Sequence, residues 1–361
     1  MVTNTLARYF AGKFVGAALG VFAGVFVLIV LVDYIELTRK TSGIDVPTWL
    51  VVQTSLFRVP QLLERLMPFC VLVAAMSCYL NLSRRLELVV ARAAGVSAWQ
   101  FMTPALVSAL VLGVIATTVY NPVSAEMQER AQANETLLFG DRTQMMQDAV
   151  GFWLNQVTNE GQTIINAASS QRRGVALAGL TVFRFDPQHK FKERLDAREA
   201  TLEDGYWLLK GVRRYTFDAP PLAEDTHRIK TNLTPDQVRG SFANPESVSF
   251  WELPDYITSS QNSGLSTAGY RLQYQKLLSR PFLLAAMVML ASAVSLRFFR
   301  LGGVQKMVLS GIAAGFLLYV LSKVTEDLSK AELMHPITAA WLPVAVGSLV
   351  GLLALLYLED G

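Results

Sequence analysis

The sequence predicts a helical membrane protein with six transmembrane helices, three on each side of a β-rich soluble insertion. Three observations carry that class. A mean hydropathy of +0.34, with 52% hydrophobic and only 17% charged residues, is too apolar for an ordinary soluble domain. The apolar residues gather toward the two ends of the chain. Between about residues 126 and 270 the pattern changes from helical to alternating, which is the signature of half-buried strands.

The first apolar run, 14–32, contains no charged residue, and 66–83, 101–120, 281–296, 307–322 and 336–358 follow the same logic. A span needs about 20 residues, so the shorter fourth and fifth runs are expected to extend by turning Lys276, Arg280, Lys306 or Lys323 toward the interface. The first run exceeds the apolar core of a cleavable leader and no small-x-small site follows it, so it is expected to remain as a span. Cys70 and Cys78 share one apolar run. On a helix that separation is about 12 Å, beyond disulfide reach, and both read as packing residues.

Placing the N-terminus in the cytoplasm assigns Arg8, Lys13, Arg84, Arg85, Arg92, Arg297, Arg300 and Lys306 to inner segments. The outer short loops then hold Arg39, Lys40, Arg58, Arg65, Lys323 and Lys330. The inner excess favours cytoplasmic termini and an insertion on the outside.

Within the insertion, "KFKERLDARE" sets Phe191, Leu195 and Ala197 against Lys192, Arg194, Asp196 and Arg198. "FDPQHK" before it and "LEDGYW" after it carry Asp-Pro and Asp-Gly turn chemistry, so 180–217 reads as three strands joined by hairpins. Trp153, Ile164 and Ile165 mark further strands upstream, and Phe183, Phe185 and Trp207 are expected to point inward, as core or as the lining of an apolar trough. Residues 126–148 read as a helical continuation of the third span, and "SVSFWELPDYITSSQNSG" as a short helix and linker into the fourth.

Several chemistries are excluded. There is no G-x-x-x-x-G-K-[ST] phosphate loop, so the chain does not hydrolyse ATP by that route. His189, His227 and His335 are scattered without a second metal ligand at useful spacing, and nothing resembles a nucleophile elbow. The acidic residues of the insertion fit a solvated strand face, so neither catalytic nor metal-binding residues are assigned. A net charge of +3 without a dense basic block gives no reason to expect nucleic acid.

One connection is unusual for its charge. In "NLSRRLELVVARAAGVS", Leu86, Val89, Val90 and Ala93 recur at helical spacing, while Arg85, Glu87 and Arg92 lie away from them. Ser83 is placed to cap the start and Gly95 to end the helix in the left-handed conformation, and Ser97 with Gln100 forms a capping box for the next one. A helix over 84–95 with defined ends is either an interfacial element whose arginines meet lipid headgroups or a coupling helix seated in a groove of a cytoplasmic partner.

"RRLELVVARAAGVS" resembles the x-x-E-L-V-V-x-x-A-x-G signature of the lipopolysaccharide export permeases of the LptF/LptG family, and the wording is nearer to the G paralogue. "TNLTPDQV" and "YRLQYQKLLSRPF" resemble the end of that family's periplasmic domain and the entry to its fourth helix. The resemblance implies helices one to three over 1–125, a periplasmic β-jellyroll-like domain with flanking linkers over 126–270, and helices four to six over 271–361, in a Gram-negative inner membrane. It implies a non-catalytic subunit that extracts lipopolysaccharide and passes it to a periplasmic bridge. Its partners would be an LptF-like permease, a dimeric LptB-like ATPase that binds the ATP and Mg, a single-span LptC-like protein and an LptA-like bridge. Arg84, Arg85, Glu87 and Arg92 inherit the ATPase-coupling role. Basic residues near the outer end of the first helix would meet lipid A phosphates; "VDYIELTRK" departs from that pattern, with Glu36 and Leu37 ahead of Arg39 and Lys40. Arg39 and Lys40, then Arg58, Arg65 and Arg130, are the candidates, against the plain alternative of solvated loop charges. Two other classes stand beside this reading: a mechanotransmission subunit that carries no substrate itself, and a sensor with an outer ligand-binding domain.

Overall fold

A computed structural model describes residues 2–43, 46–139, 152–158, 161–171, 176–188, 190–203, 205–216, 220–231, 245–262, 267–301 and 304–360. Helices α1 (Val2–Thr41), α2 (Thr48–Arg84), α3 (Glu87–Ala93) and α4 (Ala98–Ile115) lead through a π-helical turn (Ala116–Tyr120) into α5 (Asn121–Phe139). Strands β1 (Phe152–Thr158), β2 (Gly161–Gln171), β3 (Ala176–Phe185), β4 (Phe191–Glu203), β5 (Tyr206–Tyr215) and β6 (Leu222–Lys230) follow. A 3₁₀ turn (Pro245–Ser247), α6 (Leu253–Asn262), α7 (Ala268–Leu301), α8 (Val304–Lys330) and α9 (Pro336–Asp360) complete the order. The chain divides into a membrane unit, Met1–Ala131, Ser249–Trp251 and Arg271–Gly361, and a second unit, Gln132–Val248 and Glu252–Tyr270. His189, Phe217, the remainder of "TNLTPDQV" after Thr231 and the expected helix beyond Phe139 lie outside the described residues.

Among the described residues six helices are long and apolar enough to cross a membrane: Thr5–Thr41, Thr48–Arg84, Trp99–Phe139, Ala268–Ser295, Gln305–Lys330 and Pro336–Tyr357. Each coincides with an apolar run read from the sequence, and the first five are longer than their runs. Their shared core joins Phe14, Val71, Ala75, Phe101, Ala109, Leu284 and Val288, and buried Cys70 and Cys78 remain free thiols. One close helix contact is fixed by two residue types: a Cβ at Gly113 would stand 2.3 Å from the Pro281 Cα, so α4 meets α7 only without a side chain there. Pro281 has no N–H, which frees the carbonyl of Leu277 one turn earlier; Thr117, on the π-helical turn, donates its hydroxyl to that carbonyl at 2.9 Å.

The second unit holds one antiparallel sheet in the order β1-β2-β3-β4-β5-β6. The alternation of "KFKERLDARE" is realised in β4, where Leu195 and Ala197 are buried, and the inner face continues through Val182, Trp207, Leu209 and Ile229. At the β3–β4 hairpin the Asp186 carboxylate accepts from Gln188 N and Lys190 N at 2.9 and 2.8 Å, as the Asp-Pro signal implied. Gly205, at φ 84°, turns β4 into β5. The sheet curls: buried Gln156 on β1 accepts from Thr231 at 2.8 Å and donates to the Lys230 carbonyl at 3.3 Å, closing the two edge strands toward each other. It resembles a jellyroll in wrapping antiparallel strands round one apolar core and differs in its connections, which run from each strand to the next.

Of the residues expected inward, Trp207 is fully buried in this core. Phe183 takes the opposite face from Val182, where the Arg194 guanidinium lies 5.9 Å from its ring centroid, and Phe185 meets Phe191 edge-on at 5.9 Å beside the hairpin. The inner position that pattern reading passed over is Glu193, 1% exposed, with Arg184 at 2.7 Å and Arg214 at 2.6 Å. Paired cations let a carboxylate occupy an otherwise apolar face.

Candidate coupling and lipid-facing sites

The charged connection folds into α3, whose ends are built as follows. Leu86, at φ 60°, precedes the helix in the left-handed region without a side-chain cap, so Ser83 is not the cap; its carbonyl instead accepts from Leu86 N at 2.9 Å. At the other end Gly95, at φ 82°, donates to the Arg92 carbonyl at 2.9 Å and Val96 to that of Ala91 at 3.0 Å, the Schellman arrangement that requires glycine. Ser97 and Gln100 then make the expected reciprocal capping box at the start of α4.

The fold of α3 gives the apolar stripe a direction. Leu88 joins the core of the helix bundle and Ala91 is buried, while Leu86, Val89 and Val90 are 60%, 40% and 67% exposed. Spacing identifies a stripe but cannot tell which protein will cover it. Arg84 ends α2, Arg85 caps it, and Arg92 stands in the last turn of α3, all exposed; Glu87 opens α3 and is half-buried. The Glu87 carboxylate accepts a hydrogen bond from Tyr9 of α1 at 3.0 Å, a contact between residues 78 apart that no local pattern signals.

The basic candidates divide. Arg58 pairs with buried Asp33 at 3.2 Å and stitches α2 to α1. Lys40 pairs with Glu36 at 2.6 Å and Arg130 with Glu126 at 2.5 Å, each one helical turn away. Arg39 and Arg65 have exposed side chains. Missed from the sequence is a cluster on α7 and α8: Glu326 is contacted by Lys276 at 2.9 Å, Lys330 at 2.6 Å and Lys323 at 3.9 Å, and Lys323 also reaches Asp327 at 3.2 Å. Three lysines against two carboxylates leave a local positive excess. Among the described residues no group of three or more His, Cys, Asp or Glu is arranged to hold a metal.

A further polar node lies inside the membrane unit. Buried Glu64 of α2 is paired with Arg280 of α7 and accepts from Asn121 Nδ2 at 2.8 Å, while Asn121 Oδ1 accepts from Phe250 N at 2.9 Å. Tyr120 donates to the Pro60 carbonyl at 2.9 Å. A lone glutamate in the leucine-rich stretch of α2 was the available signal, because an ionisable residue within a span calls for a partner.

Comparison with known proteins covers almost the whole chain. The family described as lipopolysaccharide export system permease LptF/LptG matches residues 8–357. The lipopolysaccharide export system permease protein LptG of Haemophilus influenzae is 22% identical over 353 residues, covering 94% of this chain and 95% of that protein. Its namesake in Escherichia coli K12 is 25% identical over 313 residues, covering 82% and 83%. Six membrane-length helices interrupted after the third by an all-β unit agree with these matches from end to end, and the chain belongs to the LptF/LptG family as an LptG-like, multi-pass inner-membrane permease subunit for lipopolysaccharide export.

Proposed function

We propose that this subunit is driven by a dimeric cytoplasmic ATPase gripped through α3, with both termini cytoplasmic and the β unit periplasmic. The observation that carries the reading is the outward apolar face of Leu86, Val89 and Val90 beside Glu87 and Arg92. An apolar stripe turned away from its own bundle is stabilised by a covering partner, and the adjacent charges give that partner register. Glu87 and the arginines hold the position, and ATP and Mg are bound by the ATPase. Glu87→Ala and Val90→Asp, both at accessible positions, should leave the membrane fold intact and weaken ATPase capture by about tenfold or more. Pull-down of the ATPase with each purified complex is the test. Wild-type capture by both variants would return α3 to a helix resting on lipid headgroups.

The same proposal places lipopolysaccharide phosphates near the end of α1 at Arg39 and Lys40 and near the end of α8 at Lys323 and Lys330. Charge-assisted contacts there gain strength from partial desolvation. Arg58 serves less directly, since its pairing with buried Asp33 ties it between α1 and α2; Arg65 and Arg130 are secondary candidates. Arg39→Glu with Lys40→Glu should lower co-purifying lipopolysaccharide by about tenfold while the complex still assembles. Unchanged lipid content would leave them as solvated charges at the end of α1.

An LptF-like permease completes the membrane assembly in this reading. Its support is the seam of Gly12, Gly16, Gly20 and Gly24 on α1, where an added Cβ would meet nothing within 4 Å, leaving room for a helix of a second chain. The LptC-like and LptA-like bridge proteins would meet the edges of the sheet, β1 and β6.

A further inference from the structure

We propose that Tyr9 is a positioning residue for coupling, holding the Glu87 carboxylate toward the ATPase and tying α1 to α3; the inference rests on the coupling role given to α3 above. The Tyr9 hydroxyl donates to Glu87 Oε2 at 3.0 Å, and among the described residues no second hydrogen bond or ion pair engages that carboxylate. The identity of the donor matters. A lysine or arginine at this place would cancel the charge of Glu87, whereas a neutral phenol fixes one oxygen and leaves the full negative charge for a basic residue of the partner.

Tyr9 is itself set in place from two directions. Lys13, one turn along α1, stands 5.2 Å from its ring centroid. Phe10 next to it packs edge-on against the Tyr9 ring at 5.9 Å and lies 6.4 Å from Phe101 of α4, within the core that also buries Phe14 and Leu88. The phenol is therefore presented by a packed helix end rather than by a mobile tail. Beyond that core contact, the bond is a direct polar tie between α3 and α1. At its far end α1 is pinned by the Asp33–Arg58 pair at 3.2 Å, and between the two pins its glycine seam is open. A displacement of α3 thus enters α1 at Tyr9.

The test is the amount of lipopolysaccharide exported per ATP hydrolysed by the assembled complex in proteoliposomes, for Tyr9→Phe, Glu87→Ala and the double variant. Tyr9→Phe keeps the ring and its packing and removes only the hydroxyl. It should lower that ratio by about fivefold, the scale of one partly solvated hydrogen bond to a charged group. The double variant should export no less per ATP than Glu87→Ala alone, because the hydroxyl acts only through that carboxylate. A wild-type ratio for Tyr9→Phe overturns the proposal while the coupling role of α3 stands. Multiplying effects overturn it too, since the Tyr9 hydroxyl would then act through a group other than Glu87. A wild-type ratio for Glu87→Ala removes the coupling reading and this inference with it.

Discussion

Arg280→Ala should take most of the protein out of the folded, extractable pool. Arg280 is paired with Glu64, whose side chain is only 7% exposed, and removal leaves a carboxylate inside the helix bundle with Asn121 as its remaining described partner. Breaking one side of a buried pair costs about 3–5 kcal/mol, a large share of the roughly 5–15 kcal/mol that holds a typical domain together. The loss should extend beyond the pair, because the same Asn121 accepts from Phe250 N where the chain rejoins the membrane unit. Glu64→Gln combined with Arg280→Met should recover much of the loss, since it removes the uncompensated charge and not merely the attraction. The measurement is the yield of monodisperse protein in detergent and its thermal midpoint. A single Arg280→Ala variant as stable as wild type would show that water or lipid headgroups reach Glu64 easily and that the pair is a surface contact.

In the β unit the largest effect should come from Trp207→Ala. Trp207 is fully buried among Leu195, Leu209 and Ile229, and emptying a site of that size costs about 3–5 kcal/mol. Trp207→Phe should cost far less, because the indole N–H has no acceptor among the described residues and its loss leaves nothing unpaired. Trp251→Ala provides the contrast, as that ring is 62% exposed. Limited proteolysis of the full chain separates the cases: Trp207→Ala should expose cleavage within 152–230 while the membrane unit resists. Equal resistance in all three variants would mean that the curled sheet is held by its hydrogen-bonded ladder more than by its core.

What the sequence revealed followed the range of the interactions involved. The six spans and the alternation of β4 are properties of consecutive residues, so hydropathy and period suffice to find them, as do the Asp186 turn and the Ser97 capping box. The face of α3 was legible as a stripe but not as a direction, since Leu86, Val89 and Val90 satisfy the same spacing whether they pack inward or await another chain. The pairs that organise the membrane unit join residues far apart in the chain: 216 positions between Glu64 and Arg280, 50 between Lys276 and Glu326. Arg58 shows the consequence most directly. Read alone it is a loose outer cation, and only the fold brings Asp33 against it.

The curled sheet also bears on the order in which the protein comes into being. Every strand pairs with its neighbour in sequence, and the tie between its edges, Gln156 to Thr231, spans only 75 positions. Such a meander assembles from successive hairpins with little loop-closure penalty, and its first and last strands are brought together at the point where the chain leaves. Synthesis runs from the N-terminus, so residues 152–230 can reach their native pairing before α7, α8 and α9 exist. The three late helices can then follow a β unit that is already folded.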